Sequence, residues 1–331
     1  MTLLRDDQVS AYCARVPSAT EREPMSRHTT FHIGGDARIY VVVTSADACV
    51  EAVRAAQELA VPFYIYGGGT NVLVADTGYE GVIIQMANRE MTVLSDGIRV
   101  DAGVVTALAA RKSVELGWAG FEWAVTIPGT IGGAVFGNAG CFGGEMKDVV
   151  RTVDAYDLIK RERMMLSNAA CQFVYRGSGF KQAPHLILSV ELVFPSRQSV
   201  EEGKATIDKM MQRRKDSQPM GASTCGCVFR NYEYTSDQEL EILRREVDEI
   251  PEHMASLHRL GAGWLVEQAG AMGQRVGDME VSTKHGNFFL NHGRARAEDV
   301  LALISLVKMN VRDKLGIQLH EEVQYIGFDN P

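Results

Sequence analysis

What this chain has little of narrows its class before any motif is read. Only six Cys (Cys13, Cys49, Cys141, Cys171, Cys225, Cys227) are spread over 331 residues. That density cannot build a disulfide scaffold, so reduced thiols are expected. An excess of positive charge is also missing: 34 Lys and Arg stand against 42 Asp and Glu, a net charge of −8. Nonspecific nucleic-acid or anionic-membrane binding needs a cationic footprint, and neither partner is expected. An anionic substrate must then be held by locally placed basic residues. Long apolar runs are absent too. The longest uncharged stretch of apolar character, Ile127 to Gly144, contains seven Gly and Asn138 and is no membrane helix. The first ten residues carry Arg5, Asp6 and Asp7, unlike a secretion signal, so a cytoplasmic location is expected.

What remains is an ordinary globular composition, 46% hydrophobic and 23% charged. The length exceeds one hydrophobic core, so two or three lobes are expected. Ile39–Val43 is β-branched and strand-like. Ser45 or Asp47 can cap a helix through about Leu59, with Val50, Val53 and Ala56 on one face. Pro62 ends it and Phe63–Tyr66 resumes a strand, a βαβ unit whose two strands should be parallel. Val72–Ala75 and Val82–Gln85 are further strands about the turn Asp76-Thr77-Gly78, and a second helix runs near Val104 to Leu116. Leu188, Val190, Leu192 and Phe194 alternate with other residues as a half-buried strand does. Composition shifts near Pro195, after which Val200–Ser217 reads as a charged bridging helix. Beyond it lie a charged helix near Asp237–Ile250 and a Trp264–Ala269 segment. A strong helix comes next at Ala297–Leu315, with Val300, Ile304, Val307, Val311 and Leu315 on one face and Gly316 as its stop. Glu322–Phe328 reads as a closing strand.

Two glycine clusters dominate. One is Gly67-Gly68-Gly69-Thr70-Asn71, after a strand; the other extends from Ile127 to Gly140. Missing Cβ atoms let backbone N–H groups form a concave anion nest suited to a pyrophosphate. Neither cluster is followed by Gly-Lys-Ser/Thr, and neither has the strand–helix dinucleotide fingerprint with its later acid. Tight turns between strands would explain the same composition equally well.

The wider pattern resembles a known family. Gly67-Gly68-Gly69-Thr70-Asn71-Val72-Leu73-Val74 and Ile127-Pro128-Gly129-Thr130-Ile131-Gly132-Gly133-Ala134 look like the flavin module of the vanillyl-alcohol oxidase / p-cresol methylhydroxylase type. Thr29–Gly35, Tyr175–Lys181, Gly226–Asn231, Ala262–Gly270, Ser282–Phe288 and Glu322-Val323 occur in chain order. Together these motifs resemble the UDP-N-acetylenolpyruvoylglucosamine reductase (MurB) family. The resemblance implies an α+β fold with a two-lobed FAD-binding module over 1–195, subdivided near 87. It further implies a smaller substrate domain over 196–320 with an insert near 232–260, and a C-terminal strand over 321–331.

The implied activity is NADPH-dependent reduction of an enolpyruvyl UDP-sugar through FAD, in peptidoglycan precursor synthesis. Arg176 matches the arginine that polarises the substrate carboxylate, a task that favours a guanidinium fork over a Lys. Glu322 matches the acid acting on the same group, and crowding by negative charge should raise its pKa. Cys227 stands where the family usually has Ser, as donor of the α-carbon proton. A thiol titrating near ~8.5 is still protonated at neutral pH and can donate. Cys225 is expected to be a small core residue, and no zinc or other metal site is expected. Cofactor contacts are implied for Tyr66, Gly67, Gly68, Gly69, Thr70, Asn71 and Val72, for Ile127, Pro128, Gly129, Thr130, Gly132, Gly133 and Ala134, and for Asn138 and Arg214. Substrate contacts are implied for Tyr175, Asn231, Gln268 and Lys284. The insert reads as a surface helix and loop, or as a lid over the sugar nucleotide. Oligomeric state is left open, a monomer being favoured. Two other functions compete: a flavin oxidase of the same fold acting on an alcohol or lactone, and a non-catalytic UDP-sugar or flavin binder. Many such oxidases tether flavin through a His or Cys near the glycine loops; Cys141 follows the second cluster, but the substrate module's motifs point elsewhere.

Overall fold

In the computed structural model, which describes residues 3–247 and 249–328, the run Ile39–Val43 lies in a strand spanning Asp36–Val43. Ser45 caps the next helix, Ala46–Glu58, its hydroxyl oxygen accepting from Ala48 N at 3.1 Å. Val50, Val53 and Ala56 are buried along it, as their spacing predicts. The strand Phe63–Tyr66 runs parallel to Asp36–Val43, but the two are not neighbours: Tyr79–Met86 lies between them and pairs in parallel with both. Thr20–Pro24 forms the fourth strand, at the outer edge beside Asp36–Val43.

This sheet belongs to a first compact unit of residues 1–23, 37–68 and 79–214. The unit's second sheet is antiparallel and five-stranded, in the order Glu162–Ser167, Val150–Asp157, His185–Val193, Gly97–Asp101, Met91–Val93. On the central strand Leu188, Val190 and Leu192 are buried. They join Ile39, Val41, Ile84, Ile98 and Val100 in one core. The helix Val200–Ser217 forms over its full expected length and sends Ile207 into that core.

The second unit draws on three stretches, 24–36, 69–78 and 215–331. Its long helix Ala297–Leu315 buries all five residues expected on one face, together with Ala297 and Leu303. Gly316 ends it at φ +71°. At its other end Asp76, read from sequence only as part of a turn, accepts from Ala297 N at 2.9 Å and Glu298 N at 3.2 Å. The closing strand is shorter than expected, Gln324–Ile326, and pairs in parallel with Val72–Val74.

The insert departs most from expectation. In place of one charged helix near Asp237–Ile250 there is a 3-10 turn at Asp237–Leu240, a short helix at Leu243–Glu246 and another at Glu252–Ala255. Pro251 disfavours helical backbone in the residue before it, which explains the second break. Nor is the insert a mere surface feature, because Leu240 and Leu243 are fully buried in the second unit's core. Among the described residues no helix is long and apolar enough to cross a membrane.

Candidate active site

In the first unit, Gly67 of one glycine cluster meets Thr130 of the other. A Cβ on Gly67 would lie 2.1 Å from Thr130 Oγ1, so only hydrogen fits there. Thr130 in turn caps the short helix Ile131–Phe136, its hydroxyl oxygen accepting from Gly133 N at 3.5 Å. The backbone N–H groups of Gly67, Gly68, Gly69, Thr70 and Asn71 donate to no acceptor among the described residues. A run of idle donors on a loop where Gly67 and Gly69 have no room for a side chain is what an anion nest requires. Behind the loop, Gln85 Nε2 donates to Gly67 O at 3.2 Å, and Tyr40 OH donates to Gln85 Oε1 at 2.5 Å. Tyr66 is buried with its hydroxyl 3.1 Å from that of Tyr40, and burial pushes its phenol well above the ordinary range. Its ring therefore braces the loop from within.

Arg176 sits on the two-residue turn closed by reciprocal bonds between Val174 and Gly177, 3.0 and 3.1 Å. Its φ is +51°, a left-handed conformation that costs a side-chain-bearing residue about 1–3 kcal/mol. The guanidinium lies 5.0 Å from the Tyr175 ring and donates through Nη2 to Gly140 O at 3.0 Å, next to the second glycine cluster. Lys181 Nζ donates to Arg176 O at 2.8 Å. Arg176 and Arg214 both act electrostatically on Cys141, so two expected site cations share its neighbourhood. Burial nevertheless raises the Cys141 thiol, whose sulfur is 3.0 Å from Thr126 Oγ1 and donates to Trp123 O at 3.4 Å. A thiol so engaged is a poor flavin tether, which counts against the oxidase alternative. Asn138 is fully buried and uses its amide on protein: Nδ2 donates to Glu145 Oε2 and Val174 O, and Oδ1 accepts from Lys147 N. Its contribution is to brace the loop.

In the second unit, Cys227 and Glu322 flank one residue. Glu322 N donates to Val228 O at 2.7 Å, and Glu321 forms a bridge with Phe229. Asn71, at the end of the first glycine loop, donates through Nδ2 to Glu322 O at 3.2 Å. Cys225 is buried as expected, and burial raises its thiol far above the ordinary range, while Cys227 is partly exposed. Asn231 Oδ1 accepts from Ala262 N at 3.1 Å, at the start of the helix Ala262–Gln268 that carries Gln268. Lys284 is exposed, and its Nζ donates to Lys215 O at 2.6 Å. His285 Nδ1 accepts from Asn287 N at 3.2 Å, and burial lowers its pKa, which keeps the ring neutral. Sequence reading passed over Gln85, Asn287 and Arg230. The first two act through bonds to residues remote in sequence. Arg230 carries a buried Nε with no acceptor among the described residues, in the same segment as Cys227.

The insert is tied down by Glu239. Its carboxylate accepts from Thr235 N and Oγ1 at 2.9 and 2.8 Å, from Tyr232 OH at 3.0 Å and from Ser236 N at 3.1 Å, which hold its pKa at about 2. A carboxyl depressed in the folded state stabilises fully above its unfolded pKa and loses that contribution as pH falls through the folded one. The melting temperature of Glu239→Gln should therefore lie below wild type at neutral pH, and the gap should close between pH 4.5 and about 2. Parallel thermal melts across that range check it. A gap independent of pH would mean the charge is not what matters.

Comparison with known proteins bears on the whole chain. Residues 218–326 match the profile of the UDP-N-acetylenolpyruvoylglucosamine reductase C-terminal domain, and residues 37–162 match an FAD binding domain. The UDP-N-acetylenolpyruvoylglucosamine reductase of Chloroflexus aurantiacus is 34% identical over 321 residues, spanning 92% of this chain and 96% of the relative. The chain belongs to the MurB family. The Heliobacterium modesticaldum member is 36% identical over 311 residues, spanning 93% and 90%. The crystal structure of the Thermus caldophilus MurB superposes with a TM-score of 0.72 at 28% identity, covering 92% of this chain and 98% of that one. MurB membership makes this an FAD-dependent oxidoreductase that uses NADPH, with the expected α+β fold. The Gly67–Asn71 loop, with its idle N–H groups and its contact to Thr130, fits the flavin's phosphates.

Proposed function

We propose that the chain reduces the enolpyruvyl ether of UDP-N-acetylglucosamine enolpyruvate to UDP-N-acetylmuramate, with roles for Arg176 of the first unit and for Cys227 and Glu322 of the second. The observation that carries this assignment of roles is the bond from Glu322 N to Val228 O, which puts the acid beside the residue next after the thiol. FAD, held by the glycine loops with Arg214, would supply the hydride, drawn from NADPH, that the substrate's vinyl carbon accepts. The remaining work falls to side chains. Charge builds on the carbon next to the carboxylate and spreads into that carboxylate. A cation and a hydrogen-bond donor there lower the barrier, because they act where the charge develops. Arg176 supplies the cation and Glu322 the donor. Cys227 then gives its proton to the α-carbon, completing addition of one hydride and one proton across the double bond. Arg230 offers a further donor to the anionic substrate, and Tyr175, Asn231, Gln268 and Lys284 are its other contacts. The glycine loops, with Arg214, hold the flavin.

The same reading assigns FAD binding to residues 1–195 and substrate binding to 196–320, although the compact units are divided otherwise, 24–36 and 69–78 falling in the second unit and 196–214 in the first; the returning strand is Gln324–Ile326. The enzyme works in the cytoplasm, and through wall synthesis it supports cell shape and division. An anaerobic titration tests the assignment. NADPH should bleach the flavin, and UDP-N-acetylglucosamine enolpyruvate should restore its colour. Colour that returns only in air would favour the oxidase, and a chain without flavin would leave only the binder.

A further inference from the structure

Cys227 is not carried by a regular strand. Gly226, at φ +82°, turns the chain just before it. Past that turn Cys227 meets Phe288, and Phe229 meets Glu321, only through single antiparallel bridges. Pairing that sparse leaves buried backbone groups to be satisfied by other means. Asn287, 2% exposed, satisfies them. Its Oδ1 accepts from Phe229 N at 2.8 Å and its Nδ2 donates to Phe229 O at 2.8 Å. Its own carbonyl accepts from Val228 N at 2.9 Å. The amide thus reproduces the paired bonds of a strand edge, with a geometry fixed by its planarity. From the opposite side Val228 O accepts from Glu322 N, and Arg230 N donates to His320 O at 2.9 Å. Val228 is gripped between Asn287 and Glu322.

We propose that Asn287 is a positioning residue that sets the Cys227 thiol against the Glu322 carboxyl. The proposal rests on Cys227 being the proton donor described above. Proton transfer needs the donor within hydrogen-bond reach of its target. A rotation of the peptides at 226–229 would swing the sulfur away without unfolding the unit. Ser at 287 is too short to reach both Phe229 groups. Asp keeps the oxygen acceptor for Phe229 N but turns a lone pair toward Phe229 O.

The test uses Asn287→Ser and Asn287→Asp in the full-length, FAD-loaded enzyme. Both should keep their flavin and an unchanged rate of NADPH bleaching. The substrate-driven return of colour should slow about 10- to 100-fold, the scale of a misplaced catalytic group, with no change in the substrate concentration at half-maximal rate. Alkylation of Cys227 by iodoacetamide, read by peptide mass against Cys13, should change its rate. In a Cys227→Ala background Asn287→Ser should cost nothing further, whereas a general structural defect would add. Equal loss in both half-reactions, full additivity, unaltered Cys227 alkylation, or failure of both variants to fold would each overturn the proposal. Should the wild-type enzyme recover no colour with the enolpyruvyl sugar, the proton-donor role fails instead. The alkylation comparison still judges the clamp in that case.

Discussion

Cys227→Ala should slow the substrate-dependent return of flavin colour by about 10² or more, while bleaching by NADPH keeps its rate. The asymmetry comes from the chemistry. Only the second half-reaction needs a proton on carbon, and Ala has none to give. Cys225 is no substitute, because it is buried and burial makes its thiol a much weaker acid. Cys227→Ser should be milder, since a hydroxyl restores a donor of similar reach. Stopped-flow spectroscopy of the two half-reactions separates these cases. Normal recovery in Cys227→Ala would move the proton source elsewhere and remove the thiol from the mechanism.

Gly67→Ala should weaken flavin retention by about 10- to 100-fold, the equivalent of the 1–3 kcal/mol that overpacking typically costs. The added methyl would sit 2.1 Å from Thr130 Oγ1 and 3.1 Å from Thr130 Cβ. Either the first glycine loop or the capped start of the Ile131–Phe136 helix must then shift. The double variant Gly67→Ala/Thr130→Ala removes the nearest obstacle, so it should regain part of the lost affinity despite losing the cap. Flavin content after gel filtration, with titration of stripped protein by FAD, measures both. A double variant no better than Gly67→Ala alone would place the damage somewhere other than this contact.

Legibility of the sequence tracked the range of the forces involved. The helix Ala297–Leu315 is readable to its ends because five buried residues repeat on one face and Gly316 stops it. The Ala46–Glu58 helix is equally clear, with Ser45 as its cap. The insert misleads because its charges suggest one continuous helix. Glu239 instead folds back onto Thr235 and Ser236, and Pro251 interrupts the remainder of the run. Of the site, the glycine loops are visible as composition, but the roles of Arg176, Cys227 and Glu322 come only from family resemblance. Nothing local marks an arginine in a strained turn. The supporting residues are invisible for the same reason: Asn287 lies 58 positions from Phe229 and Asn71 251 from Glu322, so no periodicity connects them.

The bond from Asp76 to the first turn of Ala297–Leu315 spans 221 positions, and Val72–Val74 is the neighbour of Gln324–Ile326. The second unit is therefore sewn from stretches far apart along the polypeptide. A ribosome making this protein releases residues 69–78 long before their partners exist, and such distant closures are slow to form. Residues 215–331 expressed by themselves would lack both the helix cap and the edge strand. Glu322, whose carbonyl Asn71 holds, emerges 251 positions after it, so this tie forms only once both stretches have been made.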